Sequence, residues 1–348
     1  MPGNARRREV NQQKAPRGRV TLHDVARASG VSKSTVSRLL DERLPRSDSE
    51  KARHVRKVAA ELGYMRDVSA ASLRRGKTGM IGVIVSRLTD TVVAMLYESL
   101  SRAAAKSGQF TIVATTEDEP DAERRAADML LHRGVDGLVF ATAREGCGFT
   151  EELQQRGVPH VLVLRRNGTS RASIGDDPLG GYLATRHLLD LGHRNIAILA
   201  GPDYALNARD RVAGYRNALE EAGMEIRPEW IVPSAFGIDA GSEAAETLLA
   251  TGEMPTAIFA VNDNIAIGAL STLTRRGISV PDDVSMVGYN DIPLVRHLPV
   301  PLTSVRVPFD QVATSALELL GAESLTERDR VRIATPTLIP RRSTIPCR

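Results

Sequence analysis

The chain has 348 residues, 42% apolar and 25% charged, which bounds it to a globular protein of two or three domains. Its two cysteines, Cys147 and Cys347, exclude a disulfide framework and a cysteine metal cluster and make a reducing cytoplasm the default location. No apolar run approaches the ~18 residues of a membrane span, and no hydrophobic signal core follows the basic N-terminus. The net charge of +4 is unevenly placed: residues 1–77 carry 19 Lys and Arg against 8 Asp and Glu, the remainder 27 against 34. A basic front end on an acidic body predicts a polyanion-binding module joined to a domain with another task.

Residues 1–18, rich in Arg, Gly and Pro, read as a disordered basic arm. In "TLHDVARAS", Thr21 and Asp24 form a capping-box start, and Leu22, Val25 and Ala26 make one apolar face. Gly30 permits a tight turn, and Ser32 can cap a second helix over "KSTVSRLL". There Val31, Val36, Leu39 and Leu40 can face inward, leaving Lys33, Ser34, Thr35, Ser37 and Arg38 outside with no acid among them. A third start signal, Ser47 with Glu50, precedes Ala52, Val55, Val58, Ala59 and Leu62, and Gly63 stops that helix. Three short helices with a tight turn between the first two predict a helix-turn-helix domain over residues 19–68. Its second helix would enter the DNA major groove. Lys33, Ser34 and Arg38 then reach base edges, while Thr21, Thr35, Ser37 and Ser47 suit phosphate contacts that fix register.

Residues 69–75, "SAASLRR", are too short to be helical alone in water, and their small residues would let two such helices approach closely. Beyond them, buried-strand patterns recur: "MIGVIVS", "FTIVATT", "GVDGLVFA", "HVLVLR", "NIAILAG", "TAIFAVN" and "VSMVGY". Amphipathic stretches at 92–106, 121–133, 179–191, 208–222, 240–250 and 264–276 separate them. Strands alternating with helices predict an α/β core of parallel sheets, with a ligand outside the carboxyl ends of the strands. No dinucleotide fingerprint, P-loop or nucleophile elbow is present, and the histidines are scattered without metal-ligand spacing; His193 reads as a helix-ending residue. These absences argue against an enzyme and predict neither a cofactor nor a metal.

From Arg19 onward the chain resembles the LacI/GalR family of bacterial transcription regulators. The motifs that carry the likeness run in order: "VTLHDVARASGVSKSTVSRLLDE", "SAASLRRGKTGMIGVIV", "LGHRNIAILAGP", "ARDRVAGYRNAL", "AVNDNIAIGAL", "SMVGYNDIP" and "LIPRRST". The resemblance implies a hinge at 69–77 and a periplasmic-binding-protein-like core at 78–348. In that core an N-subdomain spans about 78–175, a C-subdomain about 176–304, and crossovers lie in 305–348. It also implies a cytoplasmic, dimeric repressor reading a near-palindromic operator in double-stranded DNA. Leu73 matches the family's minor-groove wedge. Asp90, Arg211, Phe236, Asn262, Asn290 and Phe309 match effector-contacting positions. The residues alone leave Arg211 open to an ion pair with Asp203 or Asp210, and the two Phe to core packing. The chain departs from sugar-responsive members at Leu164, followed by Arg165 and Arg166, and at Asn290 with Asp291. Both departures remove negative charge from the expected pocket, so a sugar acid or sugar phosphate joins a neutral sugar as the expected effector. A core that reads a protein partner is the alternative. The chain shows no heptad extension after "LIPRRST", which predicts a dimer without a tetramerising helix.

The hinge yields the first test. Leu73→Ala should keep nonspecific DNA binding but lose most specific affinity and most of the operator bend, as read by circular-permutation gel shifts. An unchanged bend angle would leave Leu73 an ordinary linker residue.

Overall fold

The computed structural model describes residues 20–41, 44–65, 77–146 and 148–347, and the chain divides into two units, Met1–Thr78 and Gly79–Arg348. The basic arm, residues 69–75 with Leu73, and Cys147 lie outside the described residues.

In the front unit, α1 (Leu22–Ser29) opens with the expected capping box, Thr21 with Asp24, and ends at Gly30, whose φ of 68° needs a residue without Cβ strain. Ser32 caps α2 (Lys33–Leu39) by accepting from the Thr35 N–H at 3.3 Å. The third helix, α3 (Glu50–Glu61), is capped by Ser49, not by Ser47 as its spacing to Glu50 suggested. The sequence "SDSE" offers three cap formers in a row, and the one adjoining the first helical residue reaches the Ala52 N–H at 3.3 Å. Ser47 instead donates to the Ser49 hydroxyl at 3.2 Å. Val25, Val36 and Val55 are fully buried and make the centre of this small core.

The back unit holds two α/β subdomains. One six-stranded sheet contains β1 (Met80–Val85), β2 (Phe110–Thr115), β3 (Gly137–Phe140), β4 (His160–Val163), β5 (Ala172–Gly175) and β11 (Val331–Ala334), all parallel, in the order β11-β5-β4-β3-β1-β2. The other contains β6 (Ile196–Leu199), β7 (Ile231–Val232), β8 (Ala257–Ala260), β9 (Ser285–Asn290), β10 (Thr303–Arg306) and β12 (Thr337–Ile339) in the order β12-β10-β9-β8-β6-β7. Only β12 runs antiparallel, against β10. Helices α4 (Thr91–Lys106), α5 (Pro120–His132) and α6 (Phe149–Gln155) belong with the first sheet. The second sheet has α7 (Asp177–Asp190), α8 (Leu206–Glu221), α9 (Ile238–Leu249) and α10 (Asp263–Arg275). Strands such as "GLVF" and "AIFA" are buried throughout, as parallel strands covered on both faces must be.

The chain passes between the subdomains after β5, after β10 and after β11. Residues 305–348, read from sequence only as crossovers, therefore carry structure of their own. They include α11 (Phe309–Gly321), which packs on α4, β4 and β5, together with β11 and β12. The first subdomain is thus not continuous over 78–175 but recovers 309–334 from the far end of the chain.

Glycines let α7 and α8 close on each other. A Cβ on Gly214 of α8 would sit 2.0 Å from the Pro178 carbonyl oxygen, and one on Gly181 of α7 would sit 2.1 Å from that of Arg211. Gly214→Ala should therefore destabilise the core by about 1–3 kcal/mol through overpacking. Gly321→Ala, where a Cβ meets nothing within 4 Å, should not. Denaturant unfolding of the two variants followed by circular dichroism checks this, and equal midpoints would refute the close-packing account.

Candidate functional site

The second helix of the front unit presents Lys33, Ser34 and Arg38 exposed on one side, with Thr35 and Ser37 half-buried and Val36 turned into the core. Ser34 and Arg38 are one helical turn apart. Thr21 is exposed at the start of α1, where its hydroxyl donates to Asp24 at 2.7 Å. Thr35 shares a hydrogen bond with Ser32 at 2.8 Å. Arg38 and Ser47 border one groove together with Arg46 and Arg56, and Arg56 donates to the Ser47 carbonyl at 2.7 Å. The geometry thus brings cations and hydroxyls onto one side of a three-helix unit, with no acid on α2 itself.

In the back unit a cleft of about 340 Å³ opens between the subdomains, where the carboxyl ends of both sheets face it. Ser86, Arg87 and Asp90 follow β1, Glu117 to Glu119 follow β2, Ala141 and Arg144 follow β3, and Leu164 and Arg165 follow β4. From the other side come Tyr204, Asn207, Arg211, Ala235, Phe236, Asn262 and Asn290. Five of the six expected effector residues therefore line one cleft: Asp90, Arg211, Phe236, Asn262 and Asn290. Phe309 does not. It lies in the first turn of α11, 5% exposed and packed in the core, because α11 returns to the first sheet.

Arg211 is a buried ion-pair partner as well as a wall residue. Its Nε donates to Asp177 Oδ1 at 2.8 Å and its Nη1 to the Val261 carbonyl at 2.7 Å, with the guanidinium 3.8 Å from the Tyr289 ring centroid. The partner is Asp177, neither Asp203 nor Asp210. Removing Arg211 would strand a buried carboxylate, a loss of about 3–5 kcal/mol, so its deletion would report on folding before it reported on a ligand.

Around this pair three amides form the floor. Asn262 caps α10, its Oδ1 accepting from the Ile265 N–H at 2.7 Å, and lines the cleft. Asn290 ends β9 at a φ of 99°. Asp263 steadies the backbone beside it, accepting from the Ile292 N–H at 2.8 Å and the Ser304 hydroxyl at 2.7 Å, and burial pushes its carboxyl up to about 7. Asn207, which the sequence did not single out, is 8% exposed, and among the described residues no group donates to its Oδ1.

The charged side chains are largely committed to one another. Arg165 holds Asp118 with two bonds of 3.1 Å, Arg166 pairs with Asp210 at 3.0 Å, and Arg144 donates to the Asp118 carbonyl while lying 4.1 Å over the Tyr204 ring. The expectation that the pocket had lost negative charge is corrected, because Glu117, Asp118 and Glu119 restore it from a loop whose position no motif marked. Asp90 caps α4 through the Val92 N–H at 2.9 Å and takes the Asn264 amide at 3.2 Å from the other subdomain; burial raises its pKa. Among the described residues, Glu117, Asp118, Leu164, Asn290 and Asp291 are the non-glycine positions with positive φ, and four of them line this cleft. Strain of that kind concentrates where a surrounding structure holds it for function. His193 lies elsewhere, tying Thr256 to the Ile345 carbonyl at 3.0 Å each. Among the described residues no group of three His, Cys, Asp or Glu is placed to hold a metal ion.

Comparison with known proteins bears on both units. Residues 21–67 match the family described as bacterial regulatory proteins, lacI family, and residues 185–344 match a periplasmic binding protein-like domain. The HTH-type transcriptional regulator DegA of Bacillus subtilis (strain 168) is 32% identical over 335 residues, covering 94% of this chain and 99% of DegA. The lac repressor dimer bound to operator and the anti-inducer ONPF superposes with a TM-score of 0.81 at 26% identity, covering 94% of this chain and all of that one (100%). A complex of the transcriptional regulator CelR with cellobiose superposes at 0.71 with 28% identity, covering 93% and 100%. With a helix-turn-helix unit, two parallel-sheet subdomains around a lined cleft, and a relative of this identity along almost its whole length, the chain belongs to the LacI family of bacterial transcriptional regulators, not to an enzyme family.

Proposed function

We propose that this regulator binds a near-palindromic operator in the bacterial cytoplasm as a homodimer, and that a neutral, polyhydroxylated molecule of sugar type in its cleft sets the operator affinity. The observation that carries the effector reading is the floor of uncharged amides. Asn207 Oδ1 is buried without a donor among the described residues, and Asn262 and Asn290 stand beside the same cavity, 4% exposed each. A buried acceptor without a donor costs about 1–3 kcal/mol, which a ligand hydroxyl recovers. Phe236 on the cavity wall suits the apolar face of a sugar ring. An anionic effector fits less well, since Arg165 and Arg211 are each held by a carboxylate of the protein. The relatives point the same way: one is solved with cellobiose and another, as a dimer, on its operator.

The DNA side of the reading rests on the exposed Lys33, Ser34 and Arg38 of α2. Arg38→Ala should cost about 1–3 kcal/mol on an operator selected from random DNA. Ser37→Ala should weaken selected and random DNA alike. Equal losses on both DNAs for Arg38→Ala, in fluorescence anisotropy titrations, would remove it from base readout.

The cleft reading is tested by calorimetric titration with a panel of neutral mono- and disaccharides, sugar acids and sugar phosphates. A neutral sugar should bind, and Asn207→Ala should weaken it about ten- to hundredfold, the loss of one buried hydrogen bond, while operator binding without sugar stays as in the parent. A panel in which only charged members bind would overturn the neutral-effector reading.

A further inference from the structure

Arg165 and Arg166, the adjacent cations that set this chain apart in sequence, are each paired with an acid of the protein, Asp118 and Asp210, which leaves them no role in holding a neutral ligand. We propose that they and Tyr204 form a clasp that holds the two subdomains together across the cleft mouth, so that closure is set by protein–protein contacts and not by a ligand anion. The clasp rests on the reading of the cleft as an effector site for its purpose, but not for its existence.

The contacts are specific. Arg166 leaves the loop after β4 and pairs with Asp210 on α8, a residue of the opposite subdomain, at 3.0 Å. Arg165 stays within its own subdomain, 6% exposed, and fixes both oxygens of Asp118 at 3.1 Å. That leaves Asp118 aimed across the mouth, where Oδ2 accepts from the Tyr204 hydroxyl at 2.9 Å. The Tyr204 ring is faced by the guanidinium of Arg144 at 4.1 Å, and Arg209 of α8 pairs with Glu145 beside it. Apart from the Arg165–Asp118 pair, which orients Asp118 from within its own subdomain, each of these bridges joins the loops after β2, β3 and β4 to the segment from Tyr204 to Asp210.

Two further features show that the clasp is built and not incidental. Arg165 is braced from behind: its Nη1 also donates to the Thr142 carbonyl at 3.3 Å, and the Thr142 hydroxyl donates to the buried Glu123 carboxyl. The backbone that presents it is strained, with Glu117, Asp118 and Leu164 at φ of 53°, 67° and 64°. A ligand anion would have to take Arg165 from a carboxylate that already holds it in bidentate geometry.

Hydrogen exchange read by mass spectrometry on the full chain tests this without any effector. Arg166→Asp and Asp210→Arg should each speed exchange about fivefold in peptides covering 116–120, 141–146 and 203–211, the scale of one partly exposed ion pair. The double swap should return those peptides to near the parent rate. Tyr204→Phe, which removes one hydroxyl and leaves the ring, should raise the same peptides and no others. Parent-like rates in the single variants, or a rise spread evenly over the core that the double swap does not reverse, would overturn the clasp. A saccharide panel that binds nothing would sink the effector reading while leaving these rates as stated.

Discussion

The cleft depends on one buried ion pair. Arg211 of α8 and Asp177 of α7 are 4% and 2% exposed, and their 2.8 Å bond sits where α7, α8, β8 and β9 meet. Each partner the pair recruits lies one step from an amide of the floor. Val261, whose carbonyl takes Nη1, precedes Asn262; Tyr289, stacked on the guanidinium and donating to Asp177 at 3.1 Å, precedes Asn290; and Asn207 lies one turn before Arg211 on the same helix. The amides are therefore positioned by a pair whose Nε and Nη1 donors are spent on Asp177 and the Val261 carbonyl. Two charges in so dry a place need each other, and the close approach permitted by Gly181 and Gly214 lets them meet.

What the sequence disclosed and what it hid divide along physical lines. The capping box at Thr21, the αL glycine at Gly30 and the strand runs were legible because local backbone chemistry and burial write them directly into neighbouring residues. Five of the six effector positions nominated by the family likeness line one cavity, because motif spacing survives where strands end. Phe309 failed because "VPFDQV" gives no local sign that the chain has crossed back to the first sheet and started a helix there. β7 and β12 are two and three residues, too short for a pattern to register, and β5, β10 and β11 (ASIG, TSVR and VRIA) lack the near-continuous apolar run that marks the equally short β3, β4, β6 and β8. Glu117 to Glu119, Tyr204 and Asn207 were missed for another reason. Their roles come from meeting residues dozens of positions away, and "TEDEP" alone reads as a solvated acidic turn.

Arg165 and Arg166 show why charge counting along a strand end misleads. Read in one dimension they add positive charge to a pocket and invite an anion. In three dimensions each is answered by an acid without sequence proximity, Asp118 at 3.1 Å from a loop and Asp210 at 3.0 Å from α8. The pocket that remains is polar but locally neutralised, and on the proposed reading discrimination passes to amide geometry. A site built to hydrogen-bond specific hydroxyls rejects analogues lacking them more sharply than an apolar pocket rejects an extra methylene.

The same bookkeeping of charge bears on regulation. The contacts that span the cleft are partly exposed: Arg166 and Asp210 are 33% and 16% accessible, Arg209 and Glu145 45% and 57%. Each such pair contributes about 0.2–1 kcal/mol, well below the stability of either sheet. Together with the Tyr204 and Asn264 bridges, their sum falls in the range of about 1–3 kcal/mol over which allosteric coupling operates. A clasp of buried, dry pairs would lock the subdomains beyond the reach of any small molecule. One of exposed pairs alone would leave closure to thermal fluctuation. The rigid element of the cleft, Arg211 with Asp177, lies entirely within one subdomain, while the weak elements lie between the two. On the proposed reading, that division would let a ligand's binding energy act on the angle between the sheets without disturbing the amide floor.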